Sequence, residues 1–124
     1  MSQGLRIYSY PQCGTCRKAL QWLAQQGFSV ADGNLDLIDI TTTPPSLAEL
    51  KLAFDSLGRQ RLFNTSGQSY RALGSAAVKA MDDAQALKAL AADGKLIKRP
   101  FVITGAGAPL VGFKQEEWQA ALGA

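Results

Sequence analysis

The chain of 124 residues has no histidine and only two cysteines. Without an imidazole, neither a Ser-His-Asp triad nor a Cys-His pair can form, because both use histidine as the base. A closed structural zinc site needs four Cys or His ligands, and only a dimer that shared two cysteine pairs would supply them. The sequence therefore predicts no metal and no organic cofactor.

Long hydrophobic runs are also missing. The apolar stretch 35–40 is interrupted by Asp36 and Asp39, so nothing resembles a signal peptide or a membrane span. The net charge is +3, but acidic residues are interleaved with the basic ones and no four Lys or Arg are consecutive. This pattern is typical of a mixed, solvated surface. We expect a cytoplasmic protein that binds neither membranes nor nucleic acid directly.

The two cysteines form the motif Cys13-Gly14-Thr15-Cys16, between an apolar run and a helix-patterned stretch. The start of a helix offers free N–H groups and the positive end of the helix dipole. Both stabilise a thiolate, and they lower a cysteine pKa from about 8.5 to between about 3.5 and 7.5. A Cys-x-x-Cys motif at a strand-to-helix junction indicates a thioredoxin-like redox site. The alternative is a pair of inert, buried thiols, although the neighbouring Pro11 is typical of a loop.

The hydrophobic periodicity predicts the order β-α-β, an inserted helical segment, and β-β-α. This is an α/β protein with a thioredoxin-like fold in one domain, 1–124, with a helical insertion at about 46–95. Ser46 and Glu49 predict a capping box, Asp82 or Asp83 caps a later helix, and short helical turns flank residues 64–67. Strands are expected at 5–10, 35–40, 101–104 and 110–112, and further helices at about 17–27, 46–57 and 115–122.

The segment Lys98-Arg99-Pro100 precedes the final hairpin. In the predicted order of elements it can lie beside the end of the first strand, where Cys13 is. A cis Arg99-Pro100 bond would turn a backbone edge toward the cysteine loop, but the sequence does not reveal the isomer.

Several short motifs occur in a specific order and together cover the chain from Leu5 to Trp118. Through them the sequence resembles the ArsC/Spx family, which implies a thioredoxin fold with an inserted helical subdomain. That family includes glutaredoxin-dependent arsenate reductases, thiol reductases that use glutathione, and Spx-type regulators that bind RNA polymerase. The motifs are Tyr10-Pro11-Gln12-Cys13-Gly14-Thr15-Cys16-Arg17-Lys18-Ala19, Pro44-Pro45-Ser46, Leu62-Phe63-Asn64-Thr65-Ser66-Gly67, Tyr70-Arg71, Leu96-Ile97-Lys98-Arg99-Pro100 and Val111-Gly112-Phe113.

The resemblance places the family's nucleophile on Cys13 and its oxyanion-binding arginine on Arg99. Arsenate reductases of this type use two further arginines, where this chain has Asn64 and Gly112-Phe113, with Lys114 just beyond. Each missing charge-assisted hydrogen bond costs about 1.5–3 kcal/mol, so efficient arsenate binding is not expected unless Lys114 or Arg61 compensates. On this basis Asn64→Arg is expected to raise arsenate reduction.

The combination of Asn64-Thr65-Ser66-Gly67 with Tyr70-Arg71 is similar to the glutathione-linked branch. The predicted function is a thiol-disulfide oxidoreductase that depends on glutathione or glutaredoxin. Cys13 attacks, Cys16 or glutathione resolves the intermediate, and Arg99 holds an anionic group. Further candidates for binding the substrate or an anion are Arg17, Asn64, Arg71, Lys98, Pro100 and Lys114.

Three questions stay open at this point. Arg17 either activates Cys13 or is a solvated cation; Arg71 either lines the same cleft or covers the inserted helices; and Asn64 is either a ligand or a turn residue. Spx-type regulators use the cysteine pair as a redox switch, so a redox-sensing regulator that binds the RNA polymerase alpha subunit is the alternative function. A weak arsenate reductase is the third.

Overall fold

The structure is a computed structural model that describes residues 4–122. Four strands form one sheet in the order β2-β1-β3-β4, in which β1 is parallel to β2 and antiparallel to β3, and β3 is antiparallel to β4. The predicted thioredoxin-like order with an inserted helical segment is confirmed. The elements are β1 Leu5–Ser9, α1 Gly14–Gln25, β2 Leu35–Asp39, α2 Leu47–Leu57, α3 Arg59–Leu62, α4 Gln68–Leu73, α5 Ser75–Ala80, α6 Asp83–Ala92, β3 Phe101–Thr104, β4 Pro109–Val111 and α7 Gln115–Leu122.

Strand β1 is covered on both faces. Successive side chains of a strand point to opposite sides, so Leu5 and Ile7 pack with α1 and α7, whereas Tyr8 faces the inserted helices. Two apolar clusters result, one on each side of the sheet. Strand β1 lies between these two clusters, and the cysteine loop follows it at the carboxyl end of the strand.

Helix α1 begins at Gly14, three residues before the start expected from the apolar pattern, because Cys13 caps it with its sulfur. Its buried residues include Cys16, Ala19 and Leu23, as predicted. Ala24 is exposed and Trp22 is buried in its place. At 100° per residue, Ala24 and Trp22 lie at similar angles, about 105° and about 95°, on opposite sides of this stripe. Trp22 is the buried one because its ring packs against Phe113 and Trp118.

The capping box at the start of α2 is confirmed. The Glu49 N–H donates to Ser46 Oγ at 3.2 Å, and the Ser46 N–H donates to Glu49 Oε1 at 3.0 Å. Asp82 caps α6 in the same way, with Gln85 as its partner. Helix α5 was not predicted. It has six residues and one buried side chain, Val78, which is too little for a periodic signal.

The insertion is bound to the segment that precedes β3. The Lys98 N–H donates to the Leu62 carbonyl at 2.7 Å, and the Asn64 N–H donates to the Leu96 carbonyl at 2.8 Å. An isolated antiparallel bridge joins Phe63 to Ile97 between these two bonds. The position of segment 96–98 is therefore fixed relative to the turn that follows α3.

The final hairpin and helix are close to the prediction. Strand β4 ends at Val111, one residue before the expected end, because Gly112 has a φ of +65°. Trp118 is fully buried in α7, as expected, and its indole N–H donates to the Gly112 carbonyl at 2.9 Å.

None of the helices between residues 4 and 122 is both long and apolar enough to cross a membrane.

Candidate functional site

Cys13 lies between the end of β1 and the first turn of α1, and three backbone contacts fix it there. Its N–H donates to the Tyr10 carbonyl at 3.0 Å, and its carbonyl accepts the Arg17 N–H at 3.1 Å. Its Sγ accepts the Cys16 N–H at 3.4 Å. Both cysteines are free thiols, Cys13 partly exposed and Cys16 buried.

The two thiols have opposite acidities. Partial burial of Cys13 opposes ionisation, but hydrogen bonds from the backbone and thiol of Cys16, the charge of Arg99 and the backbone of Thr15 together lower its pKa below the ordinary value. Burial raises the pKa of the Cys16 thiol to about 12, and the neighbouring Cys13 adds to that rise. Cys13 is therefore the thiol that ionises first.

Arg99 lies beside this loop on the segment before β3. Its guanidinium carbon is 5.0 Å from the centre of the Tyr10 ring. The Arg99-Pro100 peptide bond is cis, and Pro100 is buried beneath the segment. None of the ion pairs formed within residues 4–122 includes Arg99, so no carboxylate of this part of the chain neutralises its charge.

A groove of about 480 Å³ runs from Thr15, between the two cysteines, across the surface next to Arg99. Three further cations, Arg61, Lys98 and Lys114, line it. Arg61 is paired with Glu117 at 2.9 Å. The groove can thus accept a ligand that carries negative charge.

Part of the groove wall is aromatic. Phe113 lines it, and its ring is 5.0 Å from the Trp118 ring and 5.9 Å from the Trp22 ring. Phe63 lines it as well. These rings offer an apolar surface between the cations, which suits an organic ligand better than a small inorganic oxyanion.

Asn64 faces a smaller recess of about 190 Å³ on the other side of Arg99. Its side chain is 9% exposed, its amide N–H donates to the Lys95 carbonyl at 3.5 Å, and its Oδ1 accepts the Ser66 hydroxyl at 3.3 Å. The structure thus places Asn64 in the turn that connects α3 to α4, and of the two roles left open it favours the turn residue.

The other predicted site residues are spread over the surface. Lys98 and Lys114 line the groove, whereas Arg17 is exposed on the first turn of α1. The Arg71 guanidinium donates to the Ser66 carbonyl at 2.7 Å, so it covers the turn at 64–67. The contact between the Tyr10 ring and Arg99 was not predicted, because the two residues are remote along the chain and no local pattern pairs them.

Within the described range 4–122, no group of three His, Cys, Asp or Glu side chains is arranged to hold a metal ion.

The chain is similar to known proteins over nearly its whole length. The family model described as "ArsC family" matches residues 8–121. The chain is 40% identical to the protein YusI of Bacillus subtilis over 118 residues, which is 93% of this chain and 95% of that protein. It is 30% identical to an arsenate reductase of Neisseria meningitidis, covering 95% of this chain and 97% of the relative.

Two further similarities broaden the range of functions. The regulatory protein MgsR of Bacillus subtilis is 29% identical over 83% of this chain and 79% of its own length. The crystal structure of an ArsC family related protein from Bacteroides fragilis superposes with a TM-score of 0.82 at 34% identity, covering 97% of this chain and 98% of that one. Enzymes and a regulator thus share this sequence pattern.

Proposed function

Because the chain belongs to the ArsC family, we propose that it is a thiol-disulfide oxidoreductase with Cys13 as the nucleophile. The observation that carries this proposal is the placement of the two thiols: Cys13 is partly exposed at the start of α1, where its Sγ accepts the Cys16 N–H at 3.4 Å, whereas Cys16 is buried. The pKa of Cys13 is lowered at a helix start, while burial raises that of Cys16 to about 12. A dithiol cycle needs one sulfur that attacks the substrate disulfide and a second sulfur that resolves the mixed disulfide.

In the first step, the Cys13 thiolate attacks one sulfur of a disulfide substrate. A mixed disulfide forms on Cys13, the substrate S–S bond breaks, and the other half leaves as a thiolate that takes up a proton. The thiolate is stabilised beforehand by the Cys16 N–H at 3.4 Å, so the helix start holds the reactive form.

In the second step, Cys16 loses its proton and attacks the Cys13 sulfur. The internal disulfide forms and the second substrate thiol is released. The first step itself prepares this proton loss, because the Cys13 charge that helps to raise the pKa of Cys16 disappears when Cys13 becomes part of a disulfide. An external thiol, glutathione or a glutaredoxin, then supplies the two electrons that restore both thiols.

Arg99 and the groove bind the substrate in this proposal. Arg99 has no carboxylate partner in the described chain and its charge lowers the pKa of Cys13, and Lys98 and Lys114 line the same groove. A disulfide with carboxylates near its sulfurs, such as one formed by glutathione, would match these charges.

A redox-sensing regulator is the second candidate function, and the similarity to MgsR favours it. In that case the Cys13–Cys16 disulfide would change the surface around the cysteine loop, and a subunit of RNA polymerase would be the partner. Turnover separates the two candidates, because a regulator needs only one oxidation event whereas an oxidoreductase consumes reductant continuously.

The test is to trap the intermediate. With glutathione disulfide as the substrate, Cys16→Ser should accumulate a glutathione adduct on Cys13, detected by intact-protein mass spectrometry. Cys13→Ser should form no adduct, which makes it the matched control. An adduct on Cys16, or none on either variant, would overturn the assignment of Cys13.

A second measurement decides between enzyme and regulator. With glutathione and glutaredoxin present, the natural protein should reduce a disulfide with many turnovers. If it undergoes a single oxidation without turnover, and only the oxidised form retains RNA polymerase in a pull-down, the regulator is the correct function.

A further inference from the structure

The contact between Tyr10 and Arg99 joins two parts of the site that are remote in sequence. Tyr10 follows the last residue of β1, and its carbonyl accepts the Cys13 N–H at 3.0 Å. Its ring lies under the Arg99 guanidinium, with the guanidinium carbon 5.0 Å from the ring centre. One residue therefore contacts both the cysteine loop and the cation whose charge lowers the pKa of Cys13.

An aromatic ring holds a guanidinium in a way that a carboxylate cannot. A carboxylate would fix Arg99 and offset its charge, as Glu117 does for Arg61, which lines the same groove. A ring attracts the cation by its face, leaves the net charge intact and keeps the N–H donors at the guanidinium edge available. Within residues 4–122, Arg99 has no ion-pair partner that would compete with the ring.

Arg99 also lies between two cavities, and Tyr10 bounds only one of them. The guanidinium lines both the groove of about 480 Å³ and the recess of about 190 Å³, whereas Tyr10 lines the recess. The long arginine side chain therefore has open space on two sides. Within residues 4–122 its guanidinium forms no side-chain hydrogen bond and no ion pair, and it lies over the Tyr10 ring.

We propose that Tyr10 is a positioning residue that holds Arg99 beside the Cys13 sulfur by its ring face, with the arginine charge left free to act on the thiol and on anionic substrates. The inference rests on Cys13 as the reactive thiol of the proposed function. It assigns the phenol ring, not the hydroxyl, to this role, because among residues 4–122 the hydroxyl donates a hydrogen bond to Gln12 alone, at 3.2 Å.

The experiment measures Cys13 alkylation in the Cys16→Ser background, so that only one thiol reacts. Rates are recorded between pH 5 and 9 with neutral iodoacetamide and with anionic iodoacetate. The pH profile reports the ionisation of Cys13, and the ratio of the two rates reports the positive charge near the sulfur. The variants are Tyr10→Leu, which removes the ring, and Tyr10→Phe, which removes only the hydroxyl.

Tyr10→Leu should lower the alkylation rate on the acid side of the profile by about two- to fivefold, and it should lower the iodoacetate-to-iodoacetamide ratio. Tyr10→Phe should restore both quantities to those of Tyr10. In an Arg99→Gln background, Tyr10→Leu should have no further effect, because the charge that the ring positions is gone.

The inference is overturned if Tyr10→Leu leaves the profile and the ratio unchanged, or if its full effect persists with Arg99→Gln. The second result would mean that the ring acts on the cysteine loop alone. A separate result tests the proposed function: it fails if Cys13 in the unsubstituted chain reacts no faster than a free thiol at pH 6 to 7. If Cys13 reacts faster than a free thiol but Tyr10→Leu has no effect, only the role of Tyr10 is overturned.

Discussion

The Tyr8 hydroxyl donates a hydrogen bond of 2.7 Å to Oε1 of Glu49, and this bond joins the central strand to the first turn of α2. The same carboxylate accepts the Ser46 N–H, and its other oxygen is 3.3 Å from the Arg6 guanidinium. A single partly buried carboxylate therefore connects the sheet to the start of the helical insertion.

Glu49→Gln should destabilise the protein by about 1–3 kcal/mol at pH 7, since it weakens several bonds to a charged acceptor. Burial opposes ionisation of Glu49, but its bonds to Ser46 and Tyr8 and the charge of Arg6 hold its pKa below 4.5. The stabilisation is complete above the pKa of the unfolded chain and is lost as the pH falls through the lower pKa of the folded state.

Urea unfolding at pH 7 and at pH 3 measures this effect. The difference in the free energy of unfolding between Glu49→Gln and the natural sequence should be smaller at pH 3 than at pH 7. Asp55→Asn, at an exposed position of the same helix, should change stability by less than about 0.5 kcal/mol at either pH. An equal loss at both pH values would show that the charge of Glu49 contributes nothing.

Gly94 has no room for a side chain. An added Cβ would clash with the Ile40 carbonyl oxygen, so Gly94→Ala should cost about 3 kcal/mol or more. Gly14→Ala is the matched control. Its Cβ would meet nothing within 4 Å on a helical backbone, and stability should rise by about 0.5 kcal/mol. Thermal unfolding of both variants tests the contrast, which fails if Gly94→Ala melts with the natural protein.

Reduced protein should show a stability maximum near pH 9. The pKa of Cys13 is lowered in the folded state, so its contribution is present above the unfolded value of about 9 and is lost as the pH falls through the folded value. The pKa of Cys16 is raised to about 12, so its contribution is complete below about 9 and is lost as the pH rises toward 12.

Denaturation of the reduced chain at several pH values from 5 to 11 measures this curve. Cys13→Ser should remove the rise below pH 9 and keep the fall above it. Cys16→Ser should keep the rise and make the fall smaller without abolishing it, because the pKa of Tyr8 is also raised to about 12. A flat curve for the natural sequence would contradict the opposite acidities of the two thiols.

Oxidation to a Cys13–Cys16 disulfide should change the free energy of unfolding by less than about 2 kcal/mol. The bond closes a loop of only four residues, which constrains the unfolded chain little. Calorimetry of the reduced and oxidised forms measures the change. A much larger stabilisation would identify the bond as structural, and the proposed redox cycle would then be wrong.

Arsenate reduction by the natural sequence should be weak, and Asn64→Arg should not improve it. The sequence alone predicted a gain for this substitution, but Asn64 is 9% exposed and both ends of its amide are bonded within the turn. An arginine there should cost about 2 kcal/mol or more of stability.

Phe113→Arg should raise arsenate reduction instead, because position 113 is partly exposed and lines the groove. NADPH consumption coupled to glutathione, glutaredoxin and arsenate compares the two variants with the natural chain. Robust turnover by the natural sequence would show that Lys114 or Arg61 supplies the missing charge.

The elements that the sequence predicted well are those that local rules determine. The capping box at Ser46, the helix ends at Gly27 and Gly58 and the buried Trp118 follow from patterns that span a few residues. Helix α5 was missed because six residues with one buried side chain give no periodicity.

The site was predictable only where it is local as well. The place of Cys13 at a helix start follows from the motif. Its capping of the Cys16 N–H follows from helix geometry. The ring contact of Tyr10 with Arg99 and the burial of Asn64 depend on tertiary packing between remote segments, and no spacing in the sequence encodes them.

The bonds between segment 96–98 and the turn after α3 have a consequence for folding. Arg99 lies between this segment and β3, which pairs with β1, so its charge reaches Cys13 only when these remote parts of the chain have packed together. A molecule in which only β1 and α1 were ordered would have a capped thiol without its cation. The acidity of Cys13 thus reports whether these segments have packed together, and molecules in which they have not carry a less reactive sulfur.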